Sequence, residues 1–514
     1  MVYVRKSVWA NGGGFSDPIL FWYAKGVEAL QKKPMSDKTG WRFMAAVHGI
    51  DKALWQQYGY YTPGEAMPPQ SEQDLFWNQC QHQTWYFIPW HRGYVWSIEG
   101  LVREEIIKQG GPADWAMPYW NYSDSQNPQA RMLPPAFASK TLPDNSPNPL
   151  YVAQRYGLGT VPIVLPAKDV TLEALLQPRF TGTGAGALSG FGGLKTGFSH
   201  SGQVSGRLEN HPHNIVHVDV GGEAANGDPG LMSDPDTAGL DPIFWLHHAN
   251  IDRLWSVWTR NPNHQNPTDP AWLNGPMDRK FVVPTVDGTN YFYTPAEMLD
   301  STAAPLNYIY DEEQSSADTV MMVAAKAAPQ AGVEGKAMAD GKKAELVGAN
   351  ASTIKLVGAG AKTSVKLDQA LGNQMAQGFK AMRGFATSTT PPADGAPKPA
   401  DQVLLNLENI RADKDAAVVD VYVNLPAGEN PEDRLDLLAG TIGFFGVRKA
   451  SLPDQPHGGM GISEVFDITR IVECLEASGA LSTDNLNIDL IPRKAVSEDA
   501  GITVERISIY RQEQ

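Results

Sequence analysis

Two stretches of this chain set histidines at the reach of a helix. One is HQTWYFIPWHRGYVWSIE, from His82 to Glu99; the other is HPHNIVHVDVGG followed by DPIFWLHHANIDRLW, from His211 to Trp255. With His48 they supply two sets of three imidazoles and no carboxylate in an obvious ligating position. His213 and His217 are four apart, so on a helix their rings share one face about 6 Å apart, which suits two ligands of one ion. A lone pair with that spacing is weak evidence, because surface pairs are common. His82 and His91 enclose the apolar run QTWYFIPW, an odd setting for exposed histidines. Core histidines satisfied by backbone are the alternative, and three such sites in one aromatic-rich region weaken it. Asp252 lies one helical turn beyond His248, placed to hold a neighbouring imidazole by its second nitrogen rather than to bind metal. Imidazole-only ligation narrows the metal. Di-iron bundles use bridging Glu with Glu-x-x-His, and structural zinc recruits thiolates. Neutral imidazoles suit copper in both oxidation states, and two coppers can share one O2.

The elements that must position these residues read as helices. Asp37 or Thr39 could cap a helix through WRFMAAVHGIDKALWQQ, with Phe43, Val47, Ile50 and Leu54 on one face. A second helix runs from about Trp90, with Val95, Ile98, Leu101, Val102 and Ile106 in a 3–4 rhythm, and stops at Gly110-Gly111-Pro112. Asp241-Pro242 starts another: a capping carboxylate, then proline where no N–H is needed.

A chain of 514 residues is long for one core, so two domains are the expectation. With 42% hydrophobic and 19% charged residues it is globular, and its apolar runs are too short to span a bilayer. A net charge of −15 argues against nucleic acid as a partner. The N-terminus lacks the apolar stretch of a secretory signal, so a cytoplasmic location is expected, although a trimmed mature form would look the same. The two cysteines, Cys80 and Cys474, build no disulfide framework.

Aromatic usage divides the chain. All 14 Trp lie between Trp9 and Trp272, and from residue 316 to 400 there is no Trp, Tyr or His. The expected division is a helical domain over 1–315, an Ala/Gly/Pro-rich linker over 316–400 with short strands near 344–368, and a β domain over 401–514.

HQTWYFIPWHRGYVWSIE resembles the first copper signature of the tyrosinase and polyphenol oxidase family, and DPIFWLHHANID resembles the second. MPYWNYSD, Met117 to Asp124, and Tyr308-Ile309-Tyr310 are similar to further segments of that family's catalytic domain. The resemblance covers roughly residues 38 to 312 and implies a mainly α catalytic domain, a four-helix bundle around a dicopper centre. It implies copper on His48, His82 and His91 and a second copper on His213, His217 and His248, with His247 an outer neighbour. His211 falls outside the pattern and reads as structural. Cys80, two before His82, implies a thioether to that ring, against the plain alternative of a small buried thiol. Glu209 and Asn214 stand where relatives hold a water that can take a phenol's proton; an amide bonded to helix backbone is the alternative for Asn214. Pro235 stands where plant catechol oxidases often place a Phe over the copper, and a smaller gate favours monophenols. DVYVNLPAGE, LAGTIGFFG and GISEVFDITRIVECLEAS resemble the C-terminal domain of plant-type polyphenol oxidases, implying a β-sandwich lid with an apolar plug, or else a domain for solubility or assembly.

The resemblance therefore implies two copper ions with O2 as co-substrate and small phenols as substrates; charge and the short apolar runs argue against a nucleic-acid or membrane partner, and a copper-loading partner or an oligomer is left open. The leading expectation is a tyrosinase making o-quinones from monophenols and o-diphenols. A catechol oxidase or o-aminophenol oxidase is the nearest alternative, and a hemocyanin-like oxygen carrier is the alternative of another class.

Overall fold

The computed structural model describes residues 2–182, 186–199, 202–313, 344–386, 401–453 and 459–512. Its first part is helical where the histidines lie. The bundle consists of Trp41–His48, Phe87–Lys108, Ile215–Gly221 with the turn before it, and Pro242–Thr259. A further helix, Pro18–Gln31, packs along Phe87–Lys108. One continuous core joins these helices, with Trp41, Trp55, Trp85, Trp90, Trp245 and Trp255 among its fully buried side chains. No helix among the described residues is long and apolar enough to cross a membrane.

Local chemistry explains the helix ends. Asp241 Oδ1 accepts from Ile243 N at 3.0 Å and Pro242 occupies the first helical position, as the Asp-Pro pair predicts. The run around His48 differs from expectation. It forms two helices, Trp41–His48 and Lys52–Gln57, and neither Asp37 nor Thr39 caps the first. Asp37 Oδ1 instead accepts from Thr39 N at 2.8 Å in a turn that leaves Gly40 as the cap. The run breaks because Gly49 propagates a helix poorly, while Asp51 starts a new one by accepting from Ala53 N at 2.9 Å. The break leaves His48 as the last residue of its helix, facing the bundle interior.

The ends of this domain meet in a parallel pair, Tyr3–Arg5 with Tyr308–Tyr310. That pairing delivers Arg5, fully buried, to Glu99 and Asp252.

The C-terminal domain is one antiparallel sheet. Its order is Leu438–Gly443, Val418–Val423, Asn485–Pro492, Ala361–Leu367, Glu345–Ala349, Thr503–Gln512, Gln402–Arg411 and Ile462–Asp467, with Ile354–Lys355 also on Thr503–Gln512. The two edge strands lie against each other, so the expected sandwich is a single sheet curled into a barrel-like form. The domain also begins earlier than residue 401. Glu345–Ala349 and Ala361–Leu367 sit in the middle of the sheet, and the helix Gln369–Ala386 places Met375 and Phe379 in the barrel core. Composition hid this, because an Ala/Gly/Lys-rich stretch carries few large apolar residues; most of those it has, Val347, Ile354, Leu356, Val365 and Leu367, fall in the barrel core. The rest of the expected linker, 316–343 and 387–400, lies outside the described residues.

Candidate metal centre

Two buried clusters stand at the centre of the bundle. One is His48, Cys80, His82 and His91; the other is His213, His217, His247 and His248, and within each the ligand-type atoms lie within 4.8 Å of one another. The clusters adjoin, with the rings of His91 and His248 stacked at 4.3 Å and those of His82 and His213 tilted to each other at 5.9 Å.

The backbone sets which ring nitrogen faces inward. His48 Nδ1 meets the Pro235 carbonyl at 2.7 Å, His91 Nδ1 the Phe87 carbonyl at 2.7 Å, and His217 Nδ1 the Met232 carbonyl at 2.8 Å. His213 Nδ1 meets Asn214 Oδ1 at 2.9 Å. Each Nδ1 in such a pair carries the proton, which places the ring's lone pair on Nε2. The Nε2 atoms of His213 and His217 each lie 3.3 Å from that of His248. Ligands held about 2.0 Å from one ion in a tetrahedral arrangement stand roughly 3.3 Å apart, so these three fit a metal. Burial, and after it the neighbouring imidazoles, pushes His91, His217 and His248 well below the usual histidine range; burial takes His213 to about 3. The rings are therefore neutral at ordinary pH, the form that ligates. His247 differs: its Nδ1 faces the Tyr122 hydroxyl at 3.2 Å and its ring stacks on His213 at 5.3 Å. His213 and His217 share a short segment, but not a uniform helix. His211 is extended and Pro212 opens a wide turn that feeds Ile215–Gly221. His211 Nε2 pairs with Thr171 Oγ1 at 3.0 Å, away from the clusters, and burial lowers its pKa to about 4.

Cys80 Sγ lies 3.4 and 3.6 Å from the two ring nitrogens of His82 and 3.3 Å from His91 Nε2. The sulfur is thus nearly equidistant from both nitrogens of the His82 ring.

Asp252 does not hold an imidazole, contrary to its spacing from His248. Its carboxylate receives Arg92 Nε, Arg5 Nη1 at 3.0 Å, and the hydroxyls of Tyr308 and Tyr310. Burial would raise its pKa, and Arg92 and Arg5 outweigh that to hold it below the usual carboxylate range. It braces the helix that carries His248, tying it to Phe87–Lys108 and to both ends of the domain.

Glu209 is fully buried beside the second cluster. Its Oε1 accepts from Gln83 N at 2.7 Å and its Oε2 meets no partner among the described residues. Burial pushes this carboxyl well above its usual range. Asn214 spends its carbonyl oxygen on His213 and reaches Ser205 Oγ at 3.4 Å through Nδ2. It holds a ligand ring rather than helix backbone. Pro235 lies buried at the start of Pro235–Ala238, and its carbonyl orients His48.

The residue that sequence reasoning missed is Phe445. Its ring stacks on His217 at 3.9 Å and 16°, and lies nearly perpendicular to the rings of His82 at 5.3 Å and His213 at 5.6 Å. It belongs to the helical domain's core, whereas Phe444 belongs to the barrel's. Two glycines allow this. A Cβ at Gly443 would stand 2.9 Å from the Asn214 backbone, and Gly446 turns the chain back with φ of 79°. Gly-Phe-Phe-Gly after a strand was the available signal. Around the plug the domains are tied by Arg448 to Asp234 at 2.8 Å, Lys449 to Asp236 at 2.6 Å, and Arg493 to Asp169 at 2.6 Å.

Two adjoining sites of at least three imidazoles each in a helical bundle, beneath a barrel that stacks an aromatic ring on one of their histidines, define a type-3 dicopper protein. Comparison with known proteins agrees. The family described as the common central domain of tyrosinase matches residues 38–181 and 172–261, and a domain of unknown function (DUF7868) matches 343–512. A tyrosinase of Hahella sp. (strain CCB-MM4) is 32% identical, covering 96% of this chain and 97% of that protein. The chloroplastic polyphenol oxidase of Malus domestica is 25% identical, covering 94% and 74%. Among solved structures, latent apple tyrosinase superposes with a TM-score of 0.58 at 20% identity, covering 100% of this chain and 98% of that one. Latent aurone synthase does so with 0.58 at 19%, covering 100% and 90%; both are likenesses of fold. The chain belongs to the tyrosinase family, and it is a copper-dependent phenol-oxidising enzyme.

Proposed function

We propose that this enzyme ortho-hydroxylates monophenols and oxidises o-diphenols to o-quinones, and that its barrel domain keeps it latent. The observation that carries the reading is the Phe445 ring on His217, in the place a substrate ring needs. The latent apple tyrosinase and aurone synthase share the fold, which supports latency.

His48, His82 and His91 would hold one copper, and His213, His217 and His248 the other. Bound copper supplies O2 binding and the two-electron chemistry on the ring. The protein's own part is to keep the site dry, align the ring and move a proton. Glu209 Oε2 is the free acceptor beside the second cluster, suited to a water that takes the phenol's proton. Asn214 keeps His213 aligned next to it. Pro235 is a small wall at the entrance, which favours monophenols. A Cys80–His82 thioether, formed as the S–H and ring C–H bonds give way to S–C with O2, the enzyme's co-substrate, taking the two electrons and two protons, would fix that ring; an intact mass lower by two hydrogens after reduction is its signature.

The test compares copper-loaded full-length chain with its Phe445→Ala variant on a monophenol without added catechol and on an o-diphenol. A fully buried Phe contributes about 1.5–3 kcal/mol, so the variant should turn over diphenol about 10–100-fold faster. An unchanged rate removes the latency reading. Diphenol turnover alone makes the enzyme a catechol oxidase, and reversible O2 uptake without phenol turnover makes it a carrier.

A further inference from the structure

The plug reports where a substrate's tail would run. The Phe445 ring occupies the ring position, so the backbone leading away from it traces the way out of the pocket. That backbone passes through Gly446, where an added Cβ would lie 3.4 Å from Pro235 Cγ and 3.8 Å from Gln83 Nε2. The exit therefore has one apolar wall, Pro235, and one amide wall, Gln83.

Gln83 is unusual in three ways. It directly follows His82 yet takes the left-handed backbone conformation, with φ of 51°, which favours glycine or asparagine. In that conformation its N–H holds Glu209 Oε1. Its side chain is 1% exposed, and neither Oε1 nor Nε2 has a hydrogen-bond partner among the described residues. A buried amide that meets nothing is costly, and the closed form gains nothing from it. Gln83 sits at the exit, with the glycine turn of the plug beside its amide nitrogen and Gly202 against its Cβ.

We propose that Gln83 is a specificity-determining residue: once the plug leaves, its amide hydrogen-bonds a polar group on the ring substituent opposite the reacting hydroxyl. An amide both donates and accepts without charge. The favoured substrates are therefore phenols whose tail carries an amide, hydroxyl, carbonyl or similar group one or two bonds from the ring, over alkyl phenols of equal size. A site that pairs a polar group discriminates against the analogue lacking it, because its own group is then left unpaired.

The inference rests on phenol oxidation at this site, and the experiment separates the two. Full-length, copper-loaded Phe445→Ala protein is assayed with 3,4-dihydroxyphenylacetamide and with 4-isobutylcatechol, which matches it in shape. Gln83→Met in the same background should lower the acetamide-to-isobutyl ratio of kcat/KM about 5–10-fold, chiefly through KM for the acetamide. Gln83→Asn, which suits the left-handed backbone and keeps a shorter amide, should lower it less. Copper content of both variants should stay at the parent's level. If the parent oxidises neither catechol, the phenol-oxidase reading fails and takes this inference with it. If the parent oxidises both and neither variant moves the ratio, the Gln83 inference alone is wrong. Equal losses on both substrates overturn it too, since they mark an effect through His82 or Glu209.

Discussion

The two histidine clusters offer the same ligand type, yet the protein surrounds them differently. In the first, His48 and His91 are locked by backbone carbonyls, and the Cys80 sulfur is wedged between His82 and His91. In the second, one ring is held by a side-chain amide, a buried carboxyl stands alongside, and the cover is Phe445 from another domain. Carbonyls can orient imidazoles anywhere, so ligation alone does not explain the contrast. The first cluster is built to stay fixed. On the proposed latency, the second is the one to be uncovered, and the groups proposed to handle a proton or a tail, Glu209 and Gln83, are joined by the Gln83 N–H to Glu209 Oε1 bond.

The sharpest way to break this comparison is to remove ligands one at a time. His91→Ala and His248→Ala should each cost one copper per chain and on the order of 10³-fold or more in activity, since the metal's share of the chemistry is several kcal/mol. His247→Ala should keep both coppers. Metal analysis checks this: a lost copper in His247→Ala with two retained in His248→Ala would reverse the assignment in the second cluster. Glu209→Gln tests the asymmetry next. Monophenol hydroxylation should fall about 100-fold, the lower range for a lost general base, with diphenol oxidation falling far less. Equal losses in an assay of both substrates would show that Glu209 serves structure through Gln83 N.

What the sequence discloses follows the same contrast. The bundle and its imidazoles are legible because their signals are local: helical spacing around His91, His213-x-x-x-His217, and the Asp241-Pro242 start. Asp252 misleads for a physical reason. Its helical register points at its neighbours, but its carboxylate is claimed by Arg5, 247 positions away, and by tyrosines from the domain's far end. The barrel's early strands are hidden by composition, because Val347 and Val365 acquire meaning only once paired with strands more than a hundred residues on. Phe445 is hardest of all. A Phe-Phe pair looks like core, and only the approach of Gly443 to Asn214 shows that one ring serves each domain.

The smallest expected effect concerns how the cover is held. Glu464, on the barrel's edge strand, is buried against the helical domain, facing Ser205, Arg207 and Glu209. Burial pushes its carboxyl up to about 8, with Arg207 and Ser205 offsetting only part of that. In an opened or unfolded chain it would return to about 4.3. The closed form thus binds this proton more tightly, so its contribution to closure is full below about pH 4.3 and is lost as pH rises through 8. Glu464→Gln keeps the shape and removes the charge. The variant should match the parent's melting temperature near pH 5 and exceed it at pH 8.5 by roughly 2–4 °C per kcal/mol of relieved penalty. It should also lower diphenol turnover of the full-length chain at pH 8.5, because a better-held cover admits less substrate. Parallel melting curves for the two proteins across that range would mean that Glu464 closes ionised, paired to Arg207. The second cluster's cover would then be fastened by the same kind of ion pair as Arg448 with Asp234.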